Sequence, residues 1–140
     1  MADALTGAVV CDASVLGSIV FTDRNRAEAQ ALARGRRLLA PRLLRYELAH
    51  VTVNKSARVS PEYGARILEG FAAALRLPIR LLEPDWAQVV QLAHAHGLSA
   101  YDASYLQIAV ALNLPLATLD QRLGKVAEEL GLRAAPEASA

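Results

Sequence analysis

Apolar positions along the chain fall into two alternating patterns: short unbroken runs, and longer stretches with helical spacing. Ala8 to Cys11 is a continuous apolar run of strand length, and helix signals follow from Ala13 to about Val20. Thr22 or Asp23 supplies a cap for a second helix ending at Gly35. Arg37 to Ala40 is a short second strand. Pro41 suits a first helical position, and Leu43, Leu44, Leu48 and Val51 mark one face of a helix running towards Lys55. Ser60-Pro61-Glu62 starts a fourth helix, with Ile67, Leu68, Phe71, Ala72 and Leu75 on its buried side. Ile79 to Glu83 reads as a third strand. A helix from about Asp85 is expected to bury Trp86, Val89, Val90 and Ala93 and to stop at Gly97. Another spans Ala100 to about Leu112, with Leu106, Ala109 and Leu112 inward. Pro115 leads into a fourth strand, Leu116 to Leu119; a last helix ends at Gly131, and Leu132 to Ala135 forms a short fifth strand.

Strands that alternate with helices imply a parallel sheet covered on both faces, because parallel strands need crossover connections. Right-handed crossovers put all strand carboxyl ends on one edge, where ligands bind at the point of reversal in strand order. The expected order is 3-2-1-4-5. The first and fourth strands then flank the reversal, and these are the strands that end in Asp12 and Asp120. The predicted architecture is a three-layer α/β/α domain over residues 1–135, with 136–140 a tail expected to fray.

At 140 residues the chain can bury roughly two-thirds of its unfolded surface without disulfides. No apolar run approaches the ~18 residues of a membrane span, and Met1-Ala2-Asp3-Ala4 lacks a basic signal start. A soluble cytoplasmic protein is expected. The single Cys11, in a buried strand, reads as a small core residue. A net charge of +1 gives no global pull towards nucleic acid, but all cations except Lys55 and Lys125 are Arg, whose planar fork suits phosphate. Arg34, Arg36, Arg37, Arg42 and Arg45 form either a local basic surface or a solvated face.

Four carboxylates stand out: Asp12, Glu47, Asp102 and Asp120. Asp12 and Asp120 each precede a helix and read equally as N-caps, and Ser99-Ala100-Tyr101-Asp102 fits a capping-box pattern. Glu47 is harder to explain. It shares a face with Leu43, Leu44, Leu48 and Val51, and an unpaired buried carboxylate costs several kcal/mol. Asp102 likewise lies in line with Leu106 and Ala109. Four converging acids suit a hard divalent cation. Oxygen-only ligation favours Mg²⁺ or Mn²⁺ over Zn²⁺, since His94 and His96 point to different sides of their helix. The chemistry open to such a site is phosphodiester hydrolysis by activated water.

These residues resemble those of PIN-domain ribonucleases. Val10-Cys11-Asp12-Ala13-Ser14 is similar to the family's opening Asp-x-Ser, and Arg45-Tyr46-Glu47-Leu48 carries a Glu where its helical Glu falls. Leu98-Ser99-Ala100-Tyr101-Asp102-Ala103 resembles its third acid motif, and Ala117-Thr118-Leu119-Asp120-Gln121-Arg122-Leu123 its fourth. The short form most resembles the VapC toxins of toxin–antitoxin pairs. The resemblance implies a PIN-like parallel α/β/α fold and an endoribonuclease using Mg²⁺, with Mn²⁺ able to substitute. It implies Asp12, Glu47, Asp102 and Asp120 as catalytic metal ligands, Ser14 and Thr118 as supporting hydrogen bonders, and Arg122 as a group steadying phosphate or the acids. An RNA substrate, an antitoxin covering the active-site groove and a homodimer are the implied partners.

Two other readings deserve comparison. A phosphoacceptor receiver domain expects adjacent acids after the first strand and a Lys after a later one, and this chain has neither in place. A non-catalytic PIN-like module binding RNA or protein would be marked by a missing acid, and none is missing.

Overall fold

A computed structural model describes residues 5–136. Four strands form one parallel sheet: β1 (Ala8–Cys11), β2 (Arg37–Pro41), β3 (Ile79–Leu82) and β4 (Leu116–Ala117), in the order β3-β2-β1-β4. The helices are α1 (Ala13–Val20), α2 (Arg26–Ala33), α3 (Leu43–Ser56), α4 (Pro61–Leu75), α5 (Trp86–His96), α6 (Ala100–Leu112) and α7 (Gln121–Glu129). The chain moves outward from β1 through β2 to β3, then returns across the sheet to β4. With right-handed crossovers, α1 to α4 cover one face and α5 and α6 the other, which is the three-layer α/β/α arrangement expected.

The expected fifth strand contracts to one parallel bridge, Leu116 with Arg133, beside β4. It keeps the predicted place in the order, and Leu132 and Ala134 bond to Leu116 on either side of it. β4 is also shorter than expected, because Thr118 leaves the ladder to serve side-chain contacts described below. Pro41 closes β2 instead of opening α3, and Arg42 takes the N-cap position without a side-chain bond. Asn25, in place of Thr22 or Asp23, precedes α2; Asp23 instead accepts hydrogen bonds from Ser18 and from the Asn25 backbone N–H. The expected tail lies, from residue 137 onwards, outside the described residues.

β1 and α6 form the centre of the core. All of β1 is buried, and α6 is buried at every position from Ala103 to Ala109. The outer helices depart from expectation. Trp86 and Val90 on α5, and Leu68 and Leu75 on α4, are exposed, because α5 seats only Val89 fully and α4 only Gly64, Ile67 and Ala74. The five arginines, read as either a local basic surface or a solvated face, divide between the two ends of β2. Arg34, Arg36 and Arg37 lie at its start and Arg42 and Arg45 past its end, about 13 Å away by strand rise. Arg36 is structural, donating to the Leu32 and Ala135 carbonyls.

The first layer is tight where α4 crosses the end of α1. A Cβ built on Gly70 would lie 2.8 Å from the Val20 carbonyl oxygen, a backbone atom with little freedom to retreat. Gly70→Ala is therefore expected to destabilise the fold by about 1–3 kcal/mol in urea unfolding, despite alanine's better helix propensity. A variant as stable as wild type would mean that α4 is free to shift.

Candidate active site at the carboxyl edge of the sheet

The ladder between β1 and β4 decides where the site lies. Cys11 pairs with Ala117, so the next residues on each strand, Asp12 and Thr118, meet just beyond the ladder. The Asp12 N–H still donates to the Ala117 carbonyl at 3.2 Å, which holds Asp12 at the sheet edge where the strand order reverses.

Asp12 is 5% exposed, and three donors converge on its carboxylate. Oδ1 accepts from the Ser14 hydroxyl at 2.6 Å and from the Val15 backbone N–H at 3.2 Å; Oδ2 accepts from the Thr118 hydroxyl. Both hydroxyls are themselves oriented. Ser14 Oγ accepts from the Leu119 N–H at 2.9 Å, and Thr118 Oγ1 from the Asp120 N–H at 3.0 Å. Each hydroxyl thus relays a backbone N–H of the β4–α7 loop to Asp12. Ser14 and Thr118, expected as hydrogen bonders near Asp12 and Asp120, both donate to Asp12, Thr118 through a different oxygen from Ser14.

Asp120 caps α7, its Oδ1 accepting from the Leu123 N–H at 2.8 Å, and it is exposed. Asp102 sits half-buried in the first turn of α6, below the Ser99 cap. Glu47 is half-buried on α3, and its Oε1 accepts from the Tyr105 hydroxyl at 2.6 Å. Tyr105 is almost fully buried on α6, one helical turn beyond Asp102. Sequence reading missed Tyr105. The available signal was its spacing of three from Asp102, which places a phenol on the acid's side of the helix.

The electrostatics tie the four acids together through Asp102. Burial raises the Asp102 pKa, the Asp120 charge raises it further, and the Ser99 hydrogen bond and Arg122 charge pull it down. Burial also raises Glu47, opposed by the Tyr105 hydrogen bond and assisted by Asp102. Asp12 is pushed up to about 6, chiefly by burial, with its three hydrogen bonds opposing and Asp102 adding to the rise. Arg122 is exposed, next to Gly97 at the turn before α6, and its charge reaches Asp102. Burial pushes the Cys11 thiol well up, as a core residue requires. Burial, and then Glu47, do the same to the Tyr105 phenol, keeping it protonated as a donor.

The donor set fits a hard divalent cation in kind: all oxygen, all carboxylate, facing one edge. As the side chains stand, no three His, Cys, Asp or Glu residues among those described are grouped to hold a metal ion. Three of the four acids are engaged locally instead, Asp12 by hydroxyls, Glu47 by Tyr105 and Asp120 by the start of its helix.

A parallel α/β/α sheet with acids at its switch point now has its relatives. Residues 9–129 match the PIN domain family, and the chain belongs to it. A comparison with curated protein sequences gives no match. Among solved structures, PAE2754 from Pyrobaculum aerophilum aligns with a TM-score of 0.67 at 24% identity, over 84% of this chain and 78% of that one. VapC20, the Sarcin-Ricin loop cleaving toxin of Mycobacterium tuberculosis, aligns with a TM-score of 0.63 at 11% identity, over 93% of this chain and 100% of that one. At these identities the likeness is one of fold.

Asp12 also sets a pH dependence. Its pKa in the folded protein, about 6, lies above the ordinary 3.8. The native state therefore holds the proton more tightly between these values, and stability falls as pH rises through that window. In EDTA at pH 7, Asp12→Asn is expected to be more stable than wild type by up to about 3 kcal/mol, and to lose the decline between pH ~4 and ~6. Urea unfolding across that range checks it; parallel profiles for the two proteins would mean that Asp12 is no strained anion.

Proposed function

We propose that this protein is a Mg²⁺-dependent endoribonuclease, the toxin of a toxin–antitoxin pair, hydrolysing RNA phosphodiester bonds at the Asp12 edge. The observation that carries the reading is a desolvated carboxylate, Asp12, held rigid by Ser14 and Thr118 at the switch point of a PIN fold, within electrostatic reach of Asp102. VapC20, whose fold this chain shares, cleaves the Sarcin-Ricin loop, which supports RNA as substrate.

In this reading Asp12, Glu47, Asp102 and Asp120 are the metal ligands. A hard divalent cation, Mg²⁺ or Mn²⁺, would supply charge neutralisation at the scissile phosphate and acidify the attacking water. The chain's own groups do the rest. Asp12 presents a carboxylate whose direction is fixed by two relayed N–H groups, so little reorganisation is needed on binding. Tyr105 aims Glu47 from the far helical layer. Arg122, exposed beside Asp102, steadies a phosphate oxygen or the acidic cluster. Water attacks in line, one of the carboxylates assisting its deprotonation, and the P–O bond to the leaving sugar breaks without a covalent intermediate.

The open edge suits the proposed partners. Asp120 is exposed and Asp102 and Glu47 are half-exposed, so an antitoxin segment laid across the groove would cover them. Exposed apolar residues such as Leu68, Leu75 and Val90 provide surface for a homodimer. No helix among the described residues is long and apolar enough to cross a membrane, in keeping with a proposed cytoplasmic location.

A second reading, a non-catalytic PIN module binding RNA or protein, draws on one observation: the acids are not grouped for ligation as they stand. Metal binding separates the two. For an EDTA-stripped protein, Mn²⁺ at a hundredfold excess over its Kd is expected to stabilise by about 2.7 kcal/mol, read as a rise of several degrees in Tm. Asp12→Asn should lose most of that gain; no gain in wild type, or the same gain in the variant, removes the cation site. Cleavage of total tRNA and rRNA with Mg²⁺ should be present in wild type and fall at least ~10²-fold in Asp102→Asn, the scale of losing one group that stabilises transition-state charge. Equal cleavage by both proteins would point to a contaminant or another active site.

A further inference from the structure

A large groove lies away from the four acids. About 540 Å³ opens between the end of α1, the end of α3 and the start of α4. Its walls carry Lys55, Arg58 and Arg66 together with the rings of Phe21 and Tyr63, and no carboxylate lines it among the described residues. None of the three cations is within salt-bridge reach of an acid there. Lys55 lies over the Phe21 ring, 5.9 Å from its centroid, and Tyr63 is 54% exposed. Unpaired cations beside an exposed aromatic ring are the chemistry that holds single-stranded nucleic acid, in which phosphates meet charge and bases stack.

This pocket is joined to the acid edge. A second groove of about 320 Å³ runs along α1, sharing Phe21 and Lys55 with the first and reaching Ser14 and Leu119 at its other end. Ser14 is the residue that holds Asp12. The eight residues of α1 span about 12 Å, so a strand with a phosphate at the acids reaches the pocket within a few nucleotides. Asp23, the carboxylate along this path, is engaged by Ser18 and the Asn25 N–H. The pocket is also structurally held: Gly70 lets α4 close on the Val20 carbonyl, and Thr22 at the rim keeps a left-handed backbone, φ 53°, unusual for a β-branched residue.

We propose that this pocket is a subsite for single-stranded RNA flanking the scissile bond. Arg58, Arg66 and Lys55 hold its phosphates and Tyr63 stacks one base. The proposal rests on the nuclease reading for the identity of the strand, but binding tests it without catalysis. A fluorescently labelled single-stranded oligoribonucleotide of roughly ten nucleotides is titrated in EDTA against wild type, Arg58→Ala/Arg66→Ala, Tyr63→Ala and, as a control pair of exposed cations elsewhere, Arg76→Ala/Arg80→Ala. Thermal unfolding verifies that each variant is folded.

The pocket pair is expected to bind at least ~10-fold more weakly, and its slope of log affinity against log salt to flatten by about 1.4, two phosphates at roughly 0.7 each. Tyr63→Ala should also bind ~10-fold more weakly, at an unchanged salt slope, as a lost stack predicts. The control pair should behave as wild type. Wild-type affinity and slope in the pocket variants overturn the subsite and assign the groove to a protein partner; equal losses in the control pair overturn it in favour of diffuse charge. The nuclease reading fails separately: pocket variants that lose RNA binding, in a protein whose wild type cleaves no RNA with Mg²⁺, would uphold the subsite and remove the enzyme.

Discussion

A carboxylate buried at the end of β1 is the constraint around which the rest of the site is arranged. Asp12 is taken out of water, and the groups that compensate it come from two places far apart in sequence: Ser14 and Val15 on its own helix, and Thr118 from beyond β4. Because Ser14 and Thr118 relay the Leu119 and Asp120 N–H groups, the β4–α7 loop is fastened to the first strand through Asp12. The two-residue β4 is a consequence, since its successor residues serve the carboxylate rather than the ladder. The same bonds fix where α1 and α7 begin.

The arrangement also explains how four acids coexist at one edge without unfolding it. Asp12, Asp102 and Asp120 lie at the starts of α1, α6 and α7, where unpaired N–H groups and the helix dipoles favour negative charge. Glu47, lacking that help in mid-α3, receives a buried phenol instead. Charge is thus tolerated by local means at each acid, while Asp102 raises the pKa of Asp12 and Glu47 and is raised in turn by Asp120.

Net charge is a poor guide to local charge in this protein. The chain is almost neutral, yet Lys55, Arg58 and Arg66 line one pocket without an acid among them, and the acids face another edge. Segregating charge by position lets a basic pocket and an acidic sheet edge coexist in a protein of +1. The arginines that look clustered in sequence, Arg34 to Arg45, are separated by the length of β2.

What the sequence by itself determined was periodicity and position along the chain. The runs Ala8–Cys11 and Ile79–Leu82, the caps at Ser60, Asp85 and Ser99, and the stop at Gly97 are local, and local signals suffice for them. The cap readings of Asp12 and Asp120 followed from the same logic: Asp12 directly follows β1 and caps α1, and Asp120 caps α7 three residues beyond the shortened β4. Tertiary structure alone decided the partners. Nothing near Glu47 in sequence announces Tyr105, 58 residues away, nor does anything near Asp12 announce Thr118, 106 away. It also decided which apolar faces are covered: helical spacing marks Trp86, Val90, Leu68 and Leu75 as a face but cannot say whether another layer lies over it. Hydrogen-bond partners and burial are properties of the packed layers, and those come from strand register and crossover hand, which no short stretch of chain encodes.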